Sequence, residues 1–294
     1  MRATTHFNPT NTVRVHAPVL AAADALPLVC DSPHSGVHYP ADFVSCQPLA
    51  ALRQGEDTHV AELWSAVPRQ GGTLIEALFP RTYVDVNREL SDLDPELLDG
   101  PWPQPLAPGE KSRLGFGLIW RGLSADQPMY QRRLSVAEVQ ERIRNCWQPY
   151  HRALAQAVSA AQQAHGAVWH LNLHSMPGNA FARLGRSSEQ PLADFVLGDR
   201  DGTTCEPALL DVIETSLRAH GYSVARNNPY KGVALIAQIG CPTQRRHSLQ
   251  IEIRRPLYMD EASREPNAGF VPLQQSLSAT LEALTAHIRT QLGR

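Results

Sequence analysis

Short apolar runs recur along the chain at intervals that leave room for helices between them, and this alternation constrains the fold more than any other feature. Residues 26–30, 73–77, 167–173, 223–225 and 248–253 read as buried strands, separated by longer stretches with helical periodicity. Strands that alternate with helices build a sheet covered by helices, an α/β fold. The clearest helix starts at Ser135, which forms a capping-box pattern with Glu138. Val136, Val139, Ile143, Trp147, Tyr150, Leu154 and Val158 follow at three-to-four spacing, and the pattern ends near His165-Gly166. Further amphipathic helices are predicted over 207–220 and 271–292. No internal repeat or linker-like seam interrupts the sequence, so a single domain over 1–294 is expected. The stretch 89–117 is dense in Pro, Asp, Glu and Gly without periodicity, which suits a surface excursion or a substrate-covering lid.

With 43% apolar residues the chain can bury a substantial core. Its 27 Lys and Arg nearly balance 29 Asp and Glu, which gives no electrostatic reason to expect a nucleic acid or an anionic membrane as partner. A small molecule is the expected partner, and the oligomeric state is left open. The first twenty residues mix Arg2, His6, Asn8, Asn11, Arg14 and His16 among short apolar runs, unlike a signal peptide or a membrane span, so a cytoplasmic location is expected. Five cysteines at wide spacing, with no C-x-x-C pair, indicate neither a disulfide framework nor a thiolate metal site.

Two histidines stand in the same setting, each directly after an apolar run and each followed by serine: His34 in Ser32-Pro33-His34-Ser35-Gly36, and His174 in Leu173-His174-Ser175. Strand ends are where ligand crevices form in open α/β sheets. A catalytic zinc needs three converging protein ligands and an open position. The third ligand is expected in Glu56-Asp57-Thr58-His59, with Asp57 the first candidate and Glu56 and His59 behind it. A plain helix-capping role for Asp57 is the alternative. Arg81, Asp85, Asn87 and Arg88 cluster in a fourth segment, where arginine forks suit carboxylate binding. In a fifth, Leu249, Ile251 and Ile253 alternate with Ser248, Gln250, Glu252 and Arg254. If that strand is interior, its polar face lines a pocket and Glu252 is a natural general base. The chain contains no H-E-x-x-H, G-x-S-x-G, Walker A or G-x-G-x-x-G motif.

Together these pieces resemble the N-formylglutamate amidohydrolase family: Ser32 to Gly36, Asp57 to Val60, Pro80 to Arg88, Leu173 to Met176, Asn228 to Gly232 and Leu249 to Glu252, in the family's order. That family is in turn similar to the zinc carboxypeptidase-like exopeptidases, which implies a three-layer α/β/α fold with a mixed central sheet. The resemblance implies a zinc ion, or another divalent transition metal, held by His34, Asp57 and His174, with Glu252 as general base. It implies that Asn87 and Arg88, with Arg81 or Arg254, hold the carboxylates of an acidic N-acyl amino acid. In the D-x-N-R stretch Asp85 belongs to the same set of substrate contacts. The peptidases place a glutamate three residues after their first zinc histidine; here that position is Val37, so the carboxylate ligand comes from elsewhere. The expected reaction is hydrolysis of N-formyl-L-glutamate to formate and L-glutamate. The alternatives are a related zinc amidohydrolase for another N-acyl amino acid or peptide amide, and a non-catalytic amino-acid-binding member of the fold.

Overall fold

The computed structural model describes residues 11–21, 24–124, 126–188 and 190–294. The first ten residues, part of the stretch read above for targeting signals, lie outside the described residues. The strands are β1 (Val13–His16), β2 (Leu28–Ser32), β3 (Thr73–Ala77), β4 (Gly122–Ser124), β5 (Gln127–Pro128), β6 (Val168–Met176), β7 (Phe195–Gly198), β8 (Val224–Arg226) and β9 (Arg246–Arg254). The helices are α1 (Leu49–Leu52), α2 (Val60–Leu63), α3 (Glu110–Arg113), α4 (Val136–Arg142), α5 (Gln148–His165), α6 (Ala180–Arg183), α7 (Pro207–Ala219), α8 (Ala234–Ile239) and α9 (Phe270–Gln291). Seven strands form one sheet in the order β1-β3-β2-β6-β9-β7-β8, while β4 and β5 make a separate hairpin. β6 runs parallel to both β2 and β9, whereas β7 is antiparallel to β9, so the sheet is mixed, as expected of this α/β fold.

Where apolar runs mark strands, the ladder extends them. β6 continues to Met176, so His174 and Ser175 lie inside the strand and not after it. The reason is pairing: β9 stays in register with β6 up to Met176 opposite Arg254, and main-chain hydrogen bonds do not depend on side-chain polarity. β1 and β7, four residues each, carry no sequence pattern long enough to be read. The Ser135 capping box is formed, and a π-helical turn over Ile143–Trp147 joins α4 to α5. α2 starts from His59, a residue at φ 70°, so Asp57 is not its cap.

The chain divides into two compact units. The second, residues 15–32, 59–75 and 155–294, has its apolar core on one face of the sheet. Leu28 and Cys30 of β2, Leu171 and Leu173 of β6, Leu249, Ile251 and Ile253 of β9 and Phe195 of β7 meet apolar side chains of α2, α7 and α9. On the opposite face the same strands place Asp31, His170, Asn172, His174, Ser248, Gln250 and Glu252, all buried. β9 lies between β6 and β7, which makes it an interior strand. Among the described residues, no helix is long and apolar enough to cross a membrane.

Among the described residues, the first unit comprises 11–14, 33–58 and 76–154. At its centre the buried guanidinium of Arg142 donates to the Tyr83 carbonyl at 3.2 Å and to the Tyr130 hydroxyl at 2.7 Å. It lies 4.3 Å from the Tyr83 ring centroid and 5.6 Å from that of Phe43, so a buried cation is compensated by π faces and hydrogen bonds. Tyr83 leads directly into the Asp85–Arg88 segment. The core assignment of β9 predicts that Ile251→Ala, at a side chain 1% exposed, costs about 2–5 kcal/mol in urea-induced unfolding.

Candidate active site

His34 occupies the tight turn after β2, and Gly36 lets that turn lie against the backbone of Leu78 and Phe79. A Cβ at position 36 would sit 2.2 Å from the Phe79 carbonyl oxygen and 2.5 Å from the Leu78 carbonyl carbon. The His34 carbonyl accepts from the Asp57 amide at 2.9 Å, which ties the two segments together. On its ring, His34 Nε2 is 2.7 Å from Asp85 Oδ1, and Asp85 is itself held by Arg81, whose Nη2 is 2.8 Å from Oδ2, and by the Asn87 amide at 2.9 Å.

Burial alone would raise the Asp85 carboxyl, but the Arg81 guanidinium and the His34 imidazole outweigh it and hold the group well below the usual carboxylate range. An ionised carboxylate only accepts, so His34 Nε2 donates to Asp85, and Nδ1 is the ring nitrogen left for other partners. That Nδ1 faces Asp57 Oδ2 at 3.5 Å. Two acceptor atoms so placed suit a cation between them. Asp85 thus serves as the partner that orients His34. Expected among the substrate contacts, Asp85 has both oxygens engaged by His34, Arg81 and the Asn87 amide.

Further polar side chains lie on the buried polar face of β6 and β9. His174 is directly opposite Glu252 in the parallel register. Glu252 Oε1 accepts from Gln250 Nε2 at 2.9 Å, two residues earlier on the same strand face. His174 Nε2 is 2.7 Å from Asn172 Oδ1, and Asn172 Nδ2 lies 3.0 and 3.1 Å from the two oxygens of Asp31. His34, Asp57 and His174 each offer one ligand atom, and these atoms lie within 4.8 Å of one another. Two imidazoles and one carboxylate, all buried, form a donor set suited to zinc.

The other candidates are placed differently. Glu56 is turned to the Tyr39 hydroxyl at 2.8 Å, the Thr58 hydroxyl at 2.9 Å and Arg53 at 3.3 Å. His59 Nε2 is 2.9 Å from the Arg264 carbonyl. Arg81 is paired with Asp85, and Arg254 with Asp194 at 2.5 Å. Arg88 donates from Nε to the Phe116 carbonyl at 3.1 Å, with Asp92 at 3.9 Å, and burial lowers its pKa. The segment carrying it is fixed by Trp147 Nε1, donating to the Arg88 carbonyl at 3.0 Å, and by His151 Nε2 at 2.8 Å from the Val86 carbonyl. Sequence reasoning missed Asp31, His170 and Asn172. The signal was present in Trp169-His170-Leu171-Asn172-Leu173-His174, where polar residues recur at every second position, as they do in the 248–254 strand.

The N-formylglutamate amidohydrolase family model matches residues 26–259. The chain belongs to this family. A crystal structure of N-formylglutamate amidohydrolase from Ralstonia eutropha JMP134 is 60% identical, covers 95% of this chain and 99% of its own, and superposes with a TM-score of 0.93. The N-formylglutamate deformylase of Pseudomonas aeruginosa is 27% identical over 264 residues, 88% of this chain and 91% of that protein. A gene product of Agrobacterium tumefaciens, 19% identical over 97% of this chain and 98% of its own, has a TM-score of 0.63 and shares the fold. In this member of the family, the turn that presents His34 depends on Gly36. Gly36→Ala is expected to lower stability by about 1–3 kcal/mol through the backbone clash, measured by chemical denaturation.

Proposed function

We propose that this chain hydrolyses the N-formyl amide of N-formyl-L-glutamate, releasing formate and L-glutamate, with a zinc ion held by His34, Asp57 and His174 and with Glu252 as general base. The observation that carries the reading is the placement of three ligand atoms within 4.8 Å, one of them on His174, whose neighbour across the ladder is Glu252. Membership of the family and the names of the relatives support the choice of substrate. A divalent metal bound there supplies Lewis acidity for the attacking water and the formyl carbonyl.

The remaining steps belong to side chains. Glu252, with one oxygen fixed by Gln250, takes a proton from the attacking water and returns it to the leaving amine. Asn87 and Arg88 bind the carboxylates of the glutamyl part, with Arg81 and Arg254 adding positive potential at the sides they do not commit to Asp85 and Asp194. The bound amine leaves as the free amino group of glutamate, and the proton count closes without a further acid.

Metal analysis of the purified protein, run beside formate release with and without a chelator, tests this directly: stoichiometric zinc and chelator-sensitive formate production are expected. Glu252→Gln should retain the metal while kcat falls roughly 10²–10⁴-fold. His174→Ala should lose the metal itself, and retained zinc with full turnover there would overturn the ligand assignment. In steady-state assays Arg88→Ala should chiefly raise KM for the acidic substrate.

A further inference from the structure

Beneath His174 runs a buried hydrogen-bonded chain that the proposed reaction does not use directly. Ser248 Oγ is 2.7 Å from His170 Nδ1, His170 Nε2 is 2.8 Å from Asp31 Oδ1, and Asp31 accepts both hydrogen bonds of the Asn172 amide before Asn172 meets His174. Ser248, His170 and Asp31 stand in the order of a nucleophile, base and orienting acid. All three are 0% exposed, so no substrate reaches the serine. The chain points the other way, towards His174.

We propose that Asp31, acting through Asn172, is a positioning residue that fixes His174 in the tautomer with its proton on Nε2 and so makes Nδ1 the metal-binding nitrogen. The inference rests on the metal reading above. Along the chain each donor or acceptor forces the next. The Asp31 carboxylate only accepts, so the amide of Asn172 turns its NH₂ towards it. Asn172 Oδ1 is then left facing His174 Nε2 at 2.7 Å, and an acceptor there requires an N–H on the ring. A neutral imidazole protonated at Nε2 keeps its lone pair on Nδ1. The opposite end of the chain is consistent: His170 donates from Nε2 to Asp31 and accepts at Nδ1 from the Ser248 hydroxyl.

Asp31→Asn alters this sequence at one atom. The new amide keeps its oxygen on His170 and places its NH₂ where the second oxygen accepted from Asn172, so two NH₂ groups face each other, a repulsion that Asn172 relieves by flipping to present Oδ1. Asn172 then donates to His174 Nε2, forcing the proton onto Nδ1, the nitrogen the metal needs. Combining Asp31→Asn with Asn172→Asp restores every donor and acceptor: the amide at 31 donates to the carboxylate at 172, which accepts from His174 Nε2.

Two measurements test this. Imidazole ¹⁵N NMR of the metal-free wild type should show His174 protonated at Nε2; a proton on Nδ1 would overturn the inference whatever metal the protein holds. Zinc affinity from chelator competition should fall roughly 10–100-fold in Asp31→Asn and recover in the double exchange. Unchanged affinity in the single variant, or a folded double variant no better than the single, would also overturn it, since loss of packing alone is not repaired by exchanging an acid and an amide. A wild type that binds no zinc would remove the metal reading, while the tautomer result would still decide the role of Asp31.

Discussion

Three strands at the centre of the sheet carry polar side chains on a buried face, so most donors and acceptors there find their partners inside the protein. Asp31 anchors that requirement. Its two oxygens organise His170 and Asn172, and through Asn172 the ring of His174. The apolar face of the same strands contributes the stability that makes a buried polar face tolerable: Leu171, Leu173, Leu249 and Ile251 pack against α7 and α9, whose apolar stripes cover them. One set of strands therefore provides a core on one side and a rigid platform for chemistry on the other.

The two histidines of the proposed metal site are handled alike although they come from different parts of the chain. Each has Nε2 directed at a fixed acceptor, Asp85 Oδ1 for His34 and Asn172 Oδ1 for His174. Nδ1 is in each case the nitrogen left for the proposed metal. The electrostatic settings differ. Asp85 is a charged acceptor whose ionisation is secured by Arg81, whereas Asn172 is a neutral acceptor whose orientation is secured by a charge one step further away.

Much of this was legible from the chain because the relevant patterns are local. Period-two alternation over 248–254 marked a strand with one polar face, and the interior position of β9 turned that face into buried chemistry. The Ser135 capping box and the helix after it, the apolar run at 73–77, and the repetition of His-Ser after an apolar run all depend on neighbouring residues. Asp57 was harder, since a carboxylate before a helix reads equally as a cap or a ligand until α2 is seen to start from His59. The end of β6 was misread because a strand's length is set by the strands it pairs with. His170, Asn172 and Asp31 escaped notice because the run around them is mostly apolar and their meaning lies in contacts 139 and 141 residues apart in sequence.

The sequence by itself determined the α/β class, the family and the residue types available for chemistry, since periodicity, capping and motif order are properties of short segments. Only the tertiary structure decided which acceptor each histidine ring meets, that Asp85 contacts a histidine, and that Arg81 and Arg254 already carry ionic partners. Those outcomes depend on which acceptor lies within 3 Å of a given donor across the sheet, and such a distance exists only once distant segments have packed together.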